Sequence, residues 1–211
     1  FDRDCPDGMV CDTELGEHGG CVDCKTDEDC AAGYVCENNN CVLEGSQMIR
    51  IPGGTFVMGS DAGEGDTDEE PERVVSLPTY YIDSTPVPNE QYSEPADLIA
   101  YNDQAKANHP VVWVTWEQAG DFCSWMGKGR PSEAQWERSA RGAAPDERSY
   151  PWGEQAPTCA LANYSGCHGD TTPVGSKPQG ISPEGALDMA GNVYEWVYDL
   201  YGAGYYSETD N

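Results

Sequence analysis

The stretch Met48-Ile49-Arg50-Ile51-Pro52-Gly53-Gly54-Thr55-Phe56-Val57-Met58-Gly59-Ser60 decides how the rest of the chain reads. Apolar side chains alternate on both sides of Pro52-Gly53-Gly54, so the pattern predicts two short strands around a Gly-Gly turn. Upstream, Leu43-Glu44-Gly45-Ser46 is a short polar linker, dividing the chain into residues 1–43 and residues 44–211. Downstream, residues 61–72 hold seven acids and no base, with Pro71 near the end, and read as an exposed loop. Val74-Val75-Ser76-Leu77 and Tyr80-Tyr81-Ile82 suggest strands again.

Two helices follow from their start signals. Thr115 stands three residues before Gln118, and Ser132 three before Gln135, the spacing at which each side chain satisfies the other's backbone N–H. After the first cap, Trp116, Ala119, Phe122, Cys123 and Met126 form one apolar face. After the second, Arg141-Gly142 supplies a stop. A shorter helix begins at Asn89 and is interrupted by Pro95. The remainder is rich in Gly and Pro, so the larger region reads as an α+β domain with few, short elements.

The whole chain has 211 residues and carries 38 acids against 11 bases, a formal net charge of −27. Such a charge repels phosphate backbones and anionic lipid, which argues against a nucleic-acid partner. No apolar run of about 18 residues is present to span a bilayer. The 6 Trp and 12 Tyr give enough aromatic bulk for a core. All six tryptophans lie beyond residue 112 and read as core residues, with an aromatic platform for a ligand as the alternative. Asn163-Tyr164-Ser165 has the form of a glycosylation sequon, although Asn163 reads better as a turn residue.

Seven of the 10 cysteines fall within the first 41 residues. A short segment this poor in large apolar residues cannot bury a core and needs cross-links, which implies an oxidising compartment: secreted, extracellular or periplasmic. The segment repeats. Cys24-x5-Cys30-x5-Cys36-x4-Cys41 is a complete unit, and Cys5-x5-Cys11-x9-Cys21 matches its last three cysteines. The first unit lacks its opening cysteine, so the natural chain is expected to begin before Phe1. Four cysteines allow three pairings; the expected one is Cys24–Cys36 with Cys30–Cys41, and Cys5–Cys21 in the first unit. Cys159 and Cys167 bracket a short loop and are expected to pair locally. Cys123 is left over, and no His or Lys neighbours it in sequence to favour a thiolate.

Seven blocks then carry a resemblance. They are the opening stretch at Met48–Ser60, His109-Pro110-Val111-Val112, Cys123-x-Trp125-x-Gly127-Lys128 and Ser132-Glu133-Ala134-x-Trp136-Glu137. Tyr150-Pro151-Trp152-Gly153, Thr172-Pro173-Val174-Gly175-Ser176 and Asp188-Met189-Ala190-Gly191-Asn192-Val193-x-Glu195-Trp196 complete the series. In this order they resemble the formylglycine-generating-enzyme (sulfatase-modifying-factor) domain family. The resemblance implies a C-type-lectin-like α+β fold with bound calcium. It places one ion on Asp188, Gly191, Val193 and Glu195, two carboxylates and two backbone carbonyls, the hard oxygen donors that Ca2+ requires. A second, weaker set starts at Asn163 and Tyr164 with Asp170 as its acid. The family's oxidases bind copper through a late cysteine pair that has no counterpart here, so no residue inherits the catalytic role and copper is expected only if a further C-terminal part carries that pair. Cys123 is either a buried thiol or, by the resemblance, tied to a cysteine beyond Asn211.

Two functions remain. One is a secreted, calcium-stabilised binding or structural protein, with a protein partner or a homo-oligomeric assembly. The other is a truncated copper-dependent formylglycine-generating oxidase acting on sulfatase cysteines.

Overall fold

The computed structural model describes residues 10–12, 20–22, 34–37, 40–43, 48–92 except 62 and 64, and 104–207 except 147. The chain divides into two compact units, Phe1–Arg50 and Ile51–Asn211. In the first, β1 (Val10–Asp12) pairs antiparallel with β2 (Gly20–Val22), and β3 (Tyr34–Glu37) with β4 (Asn40–Leu43). The registers set Cys11 opposite Cys21 and Cys36 opposite Cys41, the same relation in both pairs. The expected pairings Cys24–Cys36, Cys30–Cys41 and Cys5–Cys21 lie outside the described residues.

Strand β5 (Met48–Ile51) runs across the junction and is followed by β6 (Gly54–Met58), β7 (Arg73–Leu77) and β8 (Tyr80–Asp83). The Gly-Gly turn does not close a hairpin: β6 pairs antiparallel with β7, Phe56 facing Val75 and Met58 facing Arg73. The reason is local. Gly53 N–H donates to Thr79 Oγ1 at 3.0 Å, and a Cβ on Gly53 would stand 2.8 Å from Thr79 N. The turn therefore packs onto the Pro78-Thr79 connection, and the acidic loop becomes the link between the paired strands.

Short helices complete the frame: α1 (Asn89–Tyr92), α2 (Trp116–Trp125) and α3 (Glu133–Arg141). Both expected capping boxes are present, with Thr115 and Ser132 each exchanging hydrogen bonds with the glutamine three residues on. Each such cap stabilises its helix by about 1 kcal/mol. Phe56 and Met58 are buried with Tyr206, and Tyr92 packs on Phe122 with ring centroids 4.9 Å apart.

Helix α3 buries a polar face. Arg138 Nη1 meets Glu184 Oε1 at 2.5 Å, and Arg141 Nη1 donates to the carbonyls of Val57 and Gly59 at 3.1 and 2.8 Å. Tyr80 Oη donates to Gln135 O at 2.7 Å. Charged hydrogen bonds thus fasten α3 to β6 on one side and to residue 184, just ahead of the Asp188 turn, on the other. Among the described residues between 142 and 200, the only helix is a single 3-10 turn at Pro178–Gly180; tight turns and long-range hydrogen bonds do the rest. Among the described residues, no helix is long and apolar enough to cross a membrane.

Candidate functional site

The turn at residues 188–195 is coiled by three left-handed residues, Asp188 (φ 59°), Gly191 (φ 82°) and Asn192 (φ 63°). Asp and Asn are the non-glycine residues that best tolerate this region. Gly191 has a stricter reason: a Cβ there would stand 2.4 Å from the carbonyl oxygen of Asn163. Asn192 locks the approach. Its N–H donates to Asn163 O at 2.7 Å, its Oδ1 accepts from Thr172 N at 2.9 Å, and its Nδ2 donates to Thr172 O at 3.1 Å. This clamp was not anticipated from the sequence, where Asn192 stands only as one residue of the Asp188–Trp196 block.

The turn brings Asp188 and Glu195 within electrostatic reach of one another. Asp188 is buried, and its Oδ2 accepts from Gly175 N at 2.6 Å. Burial pushes its carboxyl above the ordinary range; the Gly175 N–H and Lys177 offset this only in part. Glu195 Oε2 accepts from Trp136 Nε1 at 3.3 Å. Burial, followed by the like charge of Asp188, pushes Glu195 up to about 7 despite that bond. Two desolvated carboxylates beside each other disfavour ionisation unless a cation joins them. Among the described residues, no Arg or Lys acts on Glu195, and of the two acids Lys177 acts only on Asp188.

The oxygens left over at this turn are hard donors. Asp188 Oδ1 and Glu195 Oε1 have no hydrogen-bond partner among the described residues, and Gly191 O accepts one bond, from Val193 N at 2.8 Å, leaving a lone pair. No group of three or more His, Cys, Asp or Glu is arranged for a metal among the described residues. Half of this donor set is backbone, which suits calcium and not a soft metal.

The second expected set does not fit. Asp170 is exposed, both its oxygens accept from Lys106 Nζ at 2.8 and 2.7 Å, and Oδ1 also accepts from Thr171 N. Lys106 holds its carboxyl below the ordinary range. Asn163 spends Nδ2 on Asp170 O and its carbonyl on Asn192 N, and Tyr164 O accepts from Cys167 N. The charge an ion would need is already neutralised. A disulfide joins Cys159 and Cys167 across this loop, with Cα atoms 5.4 Å apart.

Beside both turns lies an open cleft of about 990 Å³, walled by Trp113, Tyr164, Tyr194 and Trp196. Here the reading of the tryptophans as core is corrected: Trp113 is 82% exposed, and Trp125 and Trp196 are also exposed. Core bulk comes instead from Phe56, Tyr92, Phe122 and Tyr206. Trp113 holds φ 62°, an unusual state for a bulky residue. A smaller cleft of about 360 Å³ gathers Glu69, Glu133, Glu137, Arg141 and Tyr206. Burial raises Glu137 to about 6 there, although Gly59 N–H and Arg141 oppose it.

Residues 36–210 match the model of the sulfatase-modifying factor enzyme 1-like domain. The chain belongs to that family. It is 37% identical over 189 residues to the serine/threonine-protein kinase Pkn1 of Chlamydia trachomatis, covering 78% of this chain and 30% of that protein. To the formylglycine-generating enzyme of Streptomyces coelicolor it is 29% identical, covering 77% and 71% respectively. The chain spans less than a third of the length of the chlamydial kinases it matches. Among solved structures, PvdO from Pseudomonas aeruginosa aligns with a TM-score of 0.63 and 26% identity, over 74% of this chain and 71% of that one. The fold is therefore the family's α+β formylglycine-generating-enzyme fold, as the seven blocks implied.

Proposed function

We propose that this member of the sulfatase-modifying factor family is a secreted, calcium-stabilised binding or structural module. The observation that carries the reading is the Asp188–Glu195 pair, two desolvated acids with spare oxygens and no cationic side chain beside Glu195. Asp188, Gly191, Val193 and Glu195 would hold the ion. Its chemistry there is charge neutralisation, so its effect falls on the fold: it locks the turn that carries Trp196 and shapes the cleft. The dense N-terminal cysteines and the Cys159–Cys167 disulfide favour an extracellular or periplasmic setting.

The competing reading, part of a copper-dependent formylglycine-generating oxidase, is supported by the identity to the Streptomyces enzyme. It gains little from the described thiol. Cys123 is free, and burial, followed by Asp83, pushes its pKa up, the reverse of what a nucleophile or metal thiolate needs.

The test is thermal unfolding of the chain stripped with chelator and then titrated with calcium. Binding at about 100 times Kd adds roughly 2.7 kcal/mol, which for a chain of this size raises Tm by about 5–10 °C. A melt that calcium leaves unchanged removes the metal from the proposal.

A further inference from the structure

The aromatic cleft has a chemical bias that its shape alone does not convey. The rings are held by their polar tips: Trp196 Nε1 donates to Val114 O at 3.0 Å, and Tyr164 Oη donates to Pro157 O at 3.1 Å. Their faces are left as the exposed part, and Trp113 and Tyr194 stand almost wholly in solvent. The directional polar groups of the walls are largely spent inside the protein. Lys106 and Asp170 neutralise one another, and Asn192 exchanges both amide bonds with Thr172. A ligand that depends on many hydrogen bonds, such as a sugar, finds few groups free to answer it.

Among the described residues lining the cleft, one fully buried side-chain polar atom is left without a partner, and it is an acceptor. Asn89 also lines the cleft and is 2% exposed; its Nδ2 donates to Lys106 O at 3.1 Å, which identifies the other atom as oxygen. That Oδ1 is buried without a hydrogen-bond partner. A buried orphan acceptor calls for a donor. Aromatic faces attract cations through their quadrupoles, and a net charge of −27 raises the local concentration of cations and repels anions.

We propose that this cleft is a binding site for an organic cation bearing N–H donors, a guanidinium or primary ammonium group. The cation lies on the faces of Trp113, Tyr194 and Trp196, with the amide oxygen of Asn89 as the polar anchor of that wall. Glu195 borders the cleft but is not used, so the site stands whether or not a divalent ion is bound at Asp188 and Glu195.

The experiment follows tryptophan emission and binding heat as n-butylguanidinium is titrated into the full chain in calcium-containing buffer. The neutral n-pentanol is the matched control. The cation is expected to bind about tenfold more tightly than the alcohol, and less tightly as salt is raised. Trp113→Ala should weaken it about tenfold with Tm unchanged, since that side chain is exposed and makes no hydrogen bond. Trp196→Phe, which keeps a ring, should retain most of the affinity. Glycyl-arginyl-glycinamide binding more tightly than butylguanidinium assigns the cation to a polypeptide; equal binding assigns it to a free small molecule. Equal affinity for n-pentanol, undiminished binding by Trp113→Ala, or a neutral disaccharide binding as well as the cation would overturn the proposal.

Discussion

Two neighbouring turns, residues 163–171 and residues 186–196, both carry oxygen donors at short spacing and meet through the Asn192–Asn163 hydrogen bond. They differ in how the charge of their acids is met. In the first, Asp170 is exposed and its charge is met by Lys106; in the second, Asp188 is buried and its electrostatic neighbour Glu195 is another acid. Spacing of carboxylates along a chain therefore does not make a metal site. What matters is whether a lysine is hydrogen-bonded to the acid, as Lys106 is to Asp170, or only offsets its burial in part, as Lys177 does for Asp188.

The largest difference between the two turns is expected at their glycines. Gly191→Ala places a methyl 2.4 Å from Asn163 O at φ 82°, whereas Gly166→Ala, at φ 93°, meets nothing within 4 Å. We expect Gly191→Ala to cost about 3 kcal/mol and Gly166→Ala about 1 kcal/mol, both read from denaturant unfolding. Equal costs would mean that the two turns do not depend on their close approach.

Next in size is the calcium response. Asp188→Asn or Glu195→Gln should abolish the calcium-induced rise in Tm, roughly 5–10 °C in the parent. Asp170→Asn should leave it intact. A loss of response in Asp170→Asn would restore the second turn as a ligand set.

The pH dependence follows from the raised acids. Glu195 at about 7 and Glu137 at about 6 stay protonated in the folded chain where the unfolded chain has released those protons. The metal-free chain therefore loses stability as pH rises from about 4.5 to 7. Acids held low, such as half-buried Asp146 and exposed Asp170, act in the opposite sense, but below that window. Calcium binds the ionised form, so it should flatten the fall, and Glu195→Gln should remove most of it. Melting curves in chelator that improve between pH 5 and 7 would contradict this.

The smallest effect concerns Lys106. Lys106→Met removes the first cause of the depressed Asp170 pKa, so the Asp170 carboxyl should titrate higher by carbon-13 NMR. A calcium response that grows in this variant would show that the lysine is what silences the second turn.

Much of the fold was legible in the residues, because its signals are local. Thr115 with Gln118 and Ser132 with Gln135 announce their helices through bonds spanning three residues, and the run Val74–Leu77, opened by two β-branched valines, reads directly as a strand. The pairing of β6 was not legible, since Gly53 is held by Thr79, 26 residues away. The tryptophans misled for a related reason. Composition counts aromatic bulk but not where it faces, and Trp113 and Trp196 sit on a surface built from three separate loops.

Local signals along the chain dictate its capped helices, its short strands and, through seven ordered blocks, its family. These rest on neighbours in sequence, whose geometry is set by backbone sterics and nearby hydrogen bonds. The tertiary structure alone decided which acids face each other, which acid meets a lysine, and which aromatics stay in water. Charge and burial act through space, and the contacts between residues 106 and 170, or 136 and 195, exist only after the chain has folded.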